Sequence, residues 1–139
     1  KRRDRFASAQ EAFDYWREKP LFADWDAAAL RNYVAAMLRP TAAGDFTLTW
    51  PSAWEAHYYE SFYPDTWDDL TRLDSSLPLL VVAGATSDTF VPEAVELLRR
   101  TLPNAEIHTI PGHGHLFPQS APEATGRVLA EWLTPLSAA

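Results

Sequence analysis

Two short segments carry side chains able to do acid–base chemistry together: Gly84-Ala85-Thr86-Ser87-Asp88 and Pro111-Gly112-His113-Gly114-His115. A carboxylate beside an imidazole holds the ring in one tautomer and stabilises the imidazolium. The other ring nitrogen is then free to take a proton from a nucleophile or a water. Each segment follows an apolar stretch that reads as a strand, Leu79–Ala83 and Ala105–Ile110, and a helical pattern lies between them. A strand–helix–strand unit favours parallel strands with a right-handed crossover. Both loops therefore leave the same edge of the sheet, where neighbouring strands run ~4.8 Å apart. In open α/β sheets that carboxyl edge is where ligands bind. An Asp just past a strand, taken alone, is a turn or cap residue, and a lone loop His is a surface group. Their paired placement gives them chemistry, with His113 and His115 both standing as the base.

The elements that must position these loops follow from the pattern around them. Leu79-Leu80-Val81-Val82-Ala83 runs without alternation, as in a strand covered on both faces. Pro92 suits an early helical position. Ala94, Val95, Leu97 and Leu98 form the buried stripe of that helix, and Arg99 and Arg100 sit near its negative C-terminal end. Ser120-Ala121-Pro122-Glu123 opens a last helix with Val128, Leu129, Trp132 and Leu133 on its apolar side, and Asp65 caps a short helix through Leu73. Before Pro64 the chain reads differently, as short helices separated by prolines. Ser8 to Glu11 is a capping box, followed by Phe13 and Trp16 until Lys19-Pro20 stops the run. Asp26 caps a helix over Ala27–Arg39, with Leu30, Val34 and Leu38 as its stripe and Pro40 as its end. Phe46, Leu48 and Trp50 alternate with Thr47 and Thr49, a weak extended segment. Ser52 to Glu55 repeats the capping-box pattern, and Trp54, Tyr58 and Phe62 share one face of a third helix. The division falls between 1–63, helical and rich in aromatics, and 64–139.

Composition narrows the function. The 139 residues carry 12 Lys+Arg against 19 Asp+Glu, a formal net charge of −7, and 47% are apolar. One ordinary domain's core can be filled. The acidic balance argues against nucleic acid as a partner, since phosphate binding needs a cationic surplus. Without cysteine there is no disulfide, thiolate metal site or cysteine nucleophile, which is compatible with a reducing, cytoplasmic location. No apolar run approaches the ~20 residues of a membrane span; the longest, Leu77 to Ala85, contains Pro78 and Gly84. Lys1-Arg2-Arg3-Asp4-Arg5 is basic, but no hydrophobic stretch follows it as in a secretory signal. His113-Gly114-His115 is a poor chelate and no phosphate-cradling glycine loop is present, so neither metal nor cofactor is expected.

Taken together, Leu79–Gly84, Ser87-Asp88, Val91-Pro92, Leu102-Pro103-Asn104-Ala105, Ile110-Pro111-Gly112, Gly114-His115-Leu116 and Pro122-Glu123 resemble the C-terminal third of an α/β-hydrolase. The resemblance is close over residues 77–133. Residues 1–63 are similar in character to the helical cap that such enzymes insert before their last strands. What it implies is an α/β fold: the C-terminal part of an α/β-hydrolase parallel sheet (64–139) with a helical cap (1–63). On that resemblance Asp88 is the triad acid and His115 the triad base, because the Gly-x-Gly-His pattern places the catalytic imidazole second. His113 is then a loop residue, His108 a structural residue of the second strand, and His57 part of a solvated helix face. Phe90, Leu116 and Phe117 flank the pair as substrate-pocket candidates. Trp54 and Tyr58, with Trp16, Tyr59 and Phe62, offer aromatic walls from the cap.

The family's chain order is Ser…Asp/Glu…His, with the serine in a Gly-x-Ser-x-Gly elbow. Glycines 44, 84, 112, 114 and 126 have no serine two positions away. Ser8, Ser52 and Ser120 read as helix caps, and Ser87 lies beside the acid on the wrong strand. Two parallel strands also leave an apolar edge open to association. The expectation is a C-terminal piece of a longer hydrolase, cleaved near Lys1-Arg2-Arg3 or following a gap. An N-terminal hydrolase segment, from the same gene or a companion chain, would carry the nucleophile. The implied reaction is Ser-His-Asp hydrolysis of a small or medium, largely apolar ester-like substrate. The alternatives are an aspartate nucleophile that opens epoxides or removes halide, and a non-catalytic small-molecule-binding protein of the same fold. No nucleic-acid or membrane partner is expected.

Overall fold

Ser8 starts the first helix, its Oγ accepting the Glu11 N–H at 3.1 Å. Glu11 reaches back to the Ala7 N–H at 2.6 Å, one residue earlier than in a capping box, and also meets Arg3. In this computed structural model, which describes residues 3–61 and 65–137, helix α1 spans Ala9–Arg17. Lys1, Arg2, Phe62 and Pro64, named above as a cut site, an aromatic of the third helix and its stop, lie outside the described residues. A 3-10 turn, Pro20–Phe22, follows α1. Arg17 holds the next stretch by donating to the carbonyls of Phe22, Ala23 and Trp25 at 3.1, 3.4 and 2.8 Å. Asp26 caps α2, Ala27–Met37, by accepting from the Ala28 and Ala29 N–H groups at 2.7 and 3.1 Å.

The helix expected to reach Arg39 stops two residues short. Leu38–Pro40 is strand β2, paired antiparallel with β3, Phe46–Leu48, whose other neighbour is β1, Arg5–Phe6. Pro40 biases the residue before it away from helix, and pairing with β3 supplies backbone partners instead. Leu38 thus leaves the helical stripe and sits opposite Leu48. The first part of the chain is therefore not purely helical but a helical unit built on a small sheet. Phe6, Ala12, Trp16, Phe22, Trp25, Leu30, Val34 and Leu48 are buried in it. Helix α3, Ser52–Glu60, differs from expectation too. Pro51 is its N-cap, so Ser52 is the first helical residue and forms no cap, and none of its described residues is buried.

The remaining elements are α4 (Thr66–Leu70), β4 (Leu80–Gly84), α5 (Pro92–Thr101), β5 (Glu106–Ile110), α6 (Phe117–Ser120) and α7 (Pro122–Leu136). Asp65 precedes α4 without a side-chain cap bond, and α4 ends before Leu73. Strands β4 and β5 pair in parallel, from Leu80 opposite Glu106 to Gly84 opposite Ile110. Ala83, Leu98, Ile110 and Phe117 form the buried centre. Leu80, Val81 and Val82 stay half-exposed rather than covered on both faces. A strand paired on one side only cannot bury both its faces and its free edge. The chain divides into two compact units, Lys1–Phe62 and Tyr63–Ala139.

Candidate active site

The in-register ends of β4 and β5 bring the two chemistry-bearing loops together. Beyond the paired Gly84 and Ile110, the Ala85 N–H donates to the Ile110 carbonyl at 3.0 Å, and the Thr86 N–H to the His113 carbonyl at 3.0 Å. The loops meet backbone to backbone. A Cβ on Gly84 would lie 2.0 Å from the Gly114 oxygen and 2.5 Å from the His113 oxygen, so no larger residue fits there. Gly112 has φ +76°, the left-handed conformation that turns the chain out of β5.

Each loop is then fixed by its own side chains. Ser87 Oγ accepts the Phe90 N–H at 3.0 Å, closing the turn on which Asp88 stands exposed. His113 is half-buried, with Nδ1 2.8 Å from Ser120 Oγ. The Phe117 N–H donates to the Gly114 carbonyl at 3.2 Å and starts α6. His115 lies between these anchors, exposed to solvent. Asp88 and His115 make no hydrogen bond or ion pair with each other in this structure, although their loops are bonded through Thr86 and His113. Chemically, the edge offers an exposed carboxylate and an exposed imidazole on a backbone frame that neither can move alone.

The other singled-out residues are placed as follows. Phe90 and Leu116 are half-buried beside the loops, and Phe117, 9% exposed, belongs to the packed centre. Trp54 and Tyr58 project from α3 at 66% and 70% exposure. His57 is exposed on the same helix; His108 is exposed on β5, lining a cavity with Trp132 and Glu131. Ser120 is not a cap: Ala121 holds that position before α7, and the Ser120 hydroxyl serves His113. Nothing in the sequence marks His113 as more than a loop residue, since no short motif signals a bond to a serine seven positions on. Among the described residues no group of three or more acidic and histidine side chains is placed to hold a metal ion. No helix among them is long and apolar enough to cross a membrane.

A family model described as "Alpha/beta hydrolase family" matches residues 2–128. The chain belongs to the α/β-hydrolase family. Its fold is accordingly α/β, with the parallel β4–β5 pair as part of an α/β-hydrolase sheet. Among solved structures it is similar to E-2-(acetamidomethylene)succinate hydrolase, with a TM-score of 0.78 and 20% identity, over 92% of this chain and 46% of that one. A peroxisomal α/β-hydrolase of Saccharomyces cerevisiae gives 0.77 and 22% identity, over 94% of this chain and 36% of that one. An esterase of Mycobacterium tuberculosis gives 0.72 and 21%, over 93% and 42%. No curated protein matches the chain. The chain spans less than half the length of each of these three structures.

Proposed function

We propose that this α/β-hydrolase chain supplies the acid and base of a nucleophilic hydrolase acting on small or medium, largely apolar ester-like substrates. The observation that carries the reading is the backbone junction of the two loops. The Thr86–His113 hydrogen bond at 3.0 Å and the glycine contact at Gly84 hold the Asp88 and His115 loops at one sheet edge. His115 acts as base and then as acid, and Asp88 orients its ring once substrate or a nucleophile closes the site. The nucleophile is a serine on a hydrolase segment that joins β4, either from the same gene or as a companion chain. Residues 1–63 form the cap. Trp54 and Tyr58 are its aromatic wall, and Phe90, Leu116 and Phe117 line the reacting edge.

Fluorophosphonate labelling of the purified protein, read by intact mass, tests this. The expected result is an adduct on a serine of the polypeptide joined to or assembled with this chain. His115→Gln is expected to slow that labelling by about a hundredfold or more, with ester turnover falling in parallel. The absence of both labelling and ester turnover would overturn the proposal. Epoxide or haloalkane turnover without labelling would replace the serine by an aspartate.

A further inference from the structure

The hydrolytic reading uses the Asp88 carboxylate and the His115 ring and leaves His113 idle. Yet His113 is tied twice. Its carbonyl accepts the Thr86 N–H of the acid loop at 3.0 Å. Its ring Nδ1 lies 2.8 Å from the hydroxyl of Ser120, seven positions on at the end of α6. The first bond joins the two loops, and the second closes the arc of chain that carries His115. His113 and Ser120 are both half-buried, whereas His115 is exposed and its ring makes no hydrogen bond among the described residues.

The two ends of that arc are held differently. At the far end Phe117 is buried in the packed centre, and its N–H donates to the Gly114 carbonyl at 3.2 Å. At the near end a glycine stands on each side of His113, and Gly112 has φ +76°. Glycine leaves a chain its widest conformational choice, so a Gly-His-Gly segment has little stiffness of its own. The bonds of His113 supply it. A serine hydroxyl both donates and accepts, so Ser120 can bond Nδ1 whichever ring nitrogen carries the proton. A ring nitrogen so occupied is not offered to a substrate, which leaves His113 a fastener and His115 the base.

We infer that His113 is a positioning residue of the hydrolase: through Ser120 it fixes the direction in which the chain leaves toward His115, and so where the base stands. This rests on the hydrolytic reading, in which His115 takes and returns the proton. A reacting group misplaced by about 1 Å can cost roughly a hundredfold in rate. Phe117 is held by packing and Phe90 lies outside the arc, so the walls of the reacting edge stay in place when the tie is cut. The loss therefore falls on kcat and spares KM.

The test compares variants of this chain joined to or assembled with its nucleophile-bearing polypeptide. His113→Phe keeps a ring and loses the bond, Ser120→Ala removes the same bond from the other side, and His113→Asn puts an amide where Nδ1 stood. The first two are expected to lower kcat by about tenfold or more, with KM within about twofold. His113→Asn should restore kcat, and the double variant of His113→Phe with Ser120→Ala should be no worse than either single. Hydrogen exchange over 113–120, read by mass spectrometry on the 139-residue chain, should quicken in the first two variants and not in His113→Asn. Unchanged kcat in both single variants would overturn the inference, as would a loss carried by KM alone or a His113→Asn as impaired as His113→Phe. Ser120→Ala removes one oxygen and decides the matter if His113→Phe misfolds. If the unaltered enzyme hydrolyses no ester, epoxide or haloalkane, the hydrolytic reading fails and this inference with it. If it does and both variants match it, this inference fails alone.

Discussion

At the scale of single residues, two glycines separate sharply. A Cβ on Gly84 would sit 2.0 Å from a backbone oxygen of Gly114, whereas one on Gly126, inside α7, meets nothing within 4 Å. Gly84→Ala is expected to destabilise by about 1–3 kcal/mol through forced separation of the two loops. Gly126→Ala is expected to stabilise by about 0.5–1 kcal/mol through helix propensity. Urea denaturation of the two variants checks both signs. Acid sensitivity belongs to this scale as well. The Thr41 hydroxyl, and then Arg5, hold Asp45 below the ordinary aspartate range, and Arg3 followed by the Ala7 N–H does the same for Glu11. A carboxyl depressed in the folded state adds stability that is complete above its unfolded pKa and is lost as pH falls through the folded one. The first unit should therefore weaken as pH drops below about 4. Asp45→Asn should flatten that slope in urea midpoints measured from neutral to acid pH.

At the scale of elements, two of the acceptors expected at helix starts behave oppositely. Asp26 satisfies two N–H groups of α2, while Ser52 follows the true cap, Pro51, and satisfies none. Asp26→Ala should cost about 1 kcal/mol, and Ser52→Ala should be near neutral, in the same denaturation assay. This contrast shows what sequence made legible and what it hid. The β4–α5–β5 unit was readable because apolar runs, Pro92 and the glycine turns each mark one boundary. That alone brought the Asp88 and His115 loops to a common edge. Of the small sheet in the first unit only β3 was legible, in the alternation of Phe46, Leu48 and Trp50 with the threonines. Strands β1 and β2 are two and three residues long, too short for alternation, and β1 finds β3 across 40 or so positions of sequence. His113 was invisible as an anchor because its partner, Ser120, carried the stronger signature of a helix cap.

At the scale of the whole molecule, the sheet is narrower than its sequence is built for. Leu80, Val81 and Val82 of an all-apolar strand remain half-exposed, and Leu97, Leu129, Leu133 and Leu136 are 37–49% exposed on the flanking helices. Apolar strand edges and contiguous apolar faces drive association. Sedimentation velocity of the isolated chain should show concentration-dependent self-association. Replacing Leu129 and Leu133 by Glu, both on the surface of α7, should reduce it while leaving far-UV circular dichroism unchanged.

Arg17 gives the first unit a fastening of unusual chemistry. Its guanidinium grips the neutral carbonyls of Phe22, Ala23 and Trp25, not a carboxylate. Dissolved ions compete with paired opposite charges, as between Arg5 and Asp45, far more than with a cation lodged among peptide dipoles. In concentrated brine the outer clasps of this unit loosen, yet the tryptophan nest stays shut.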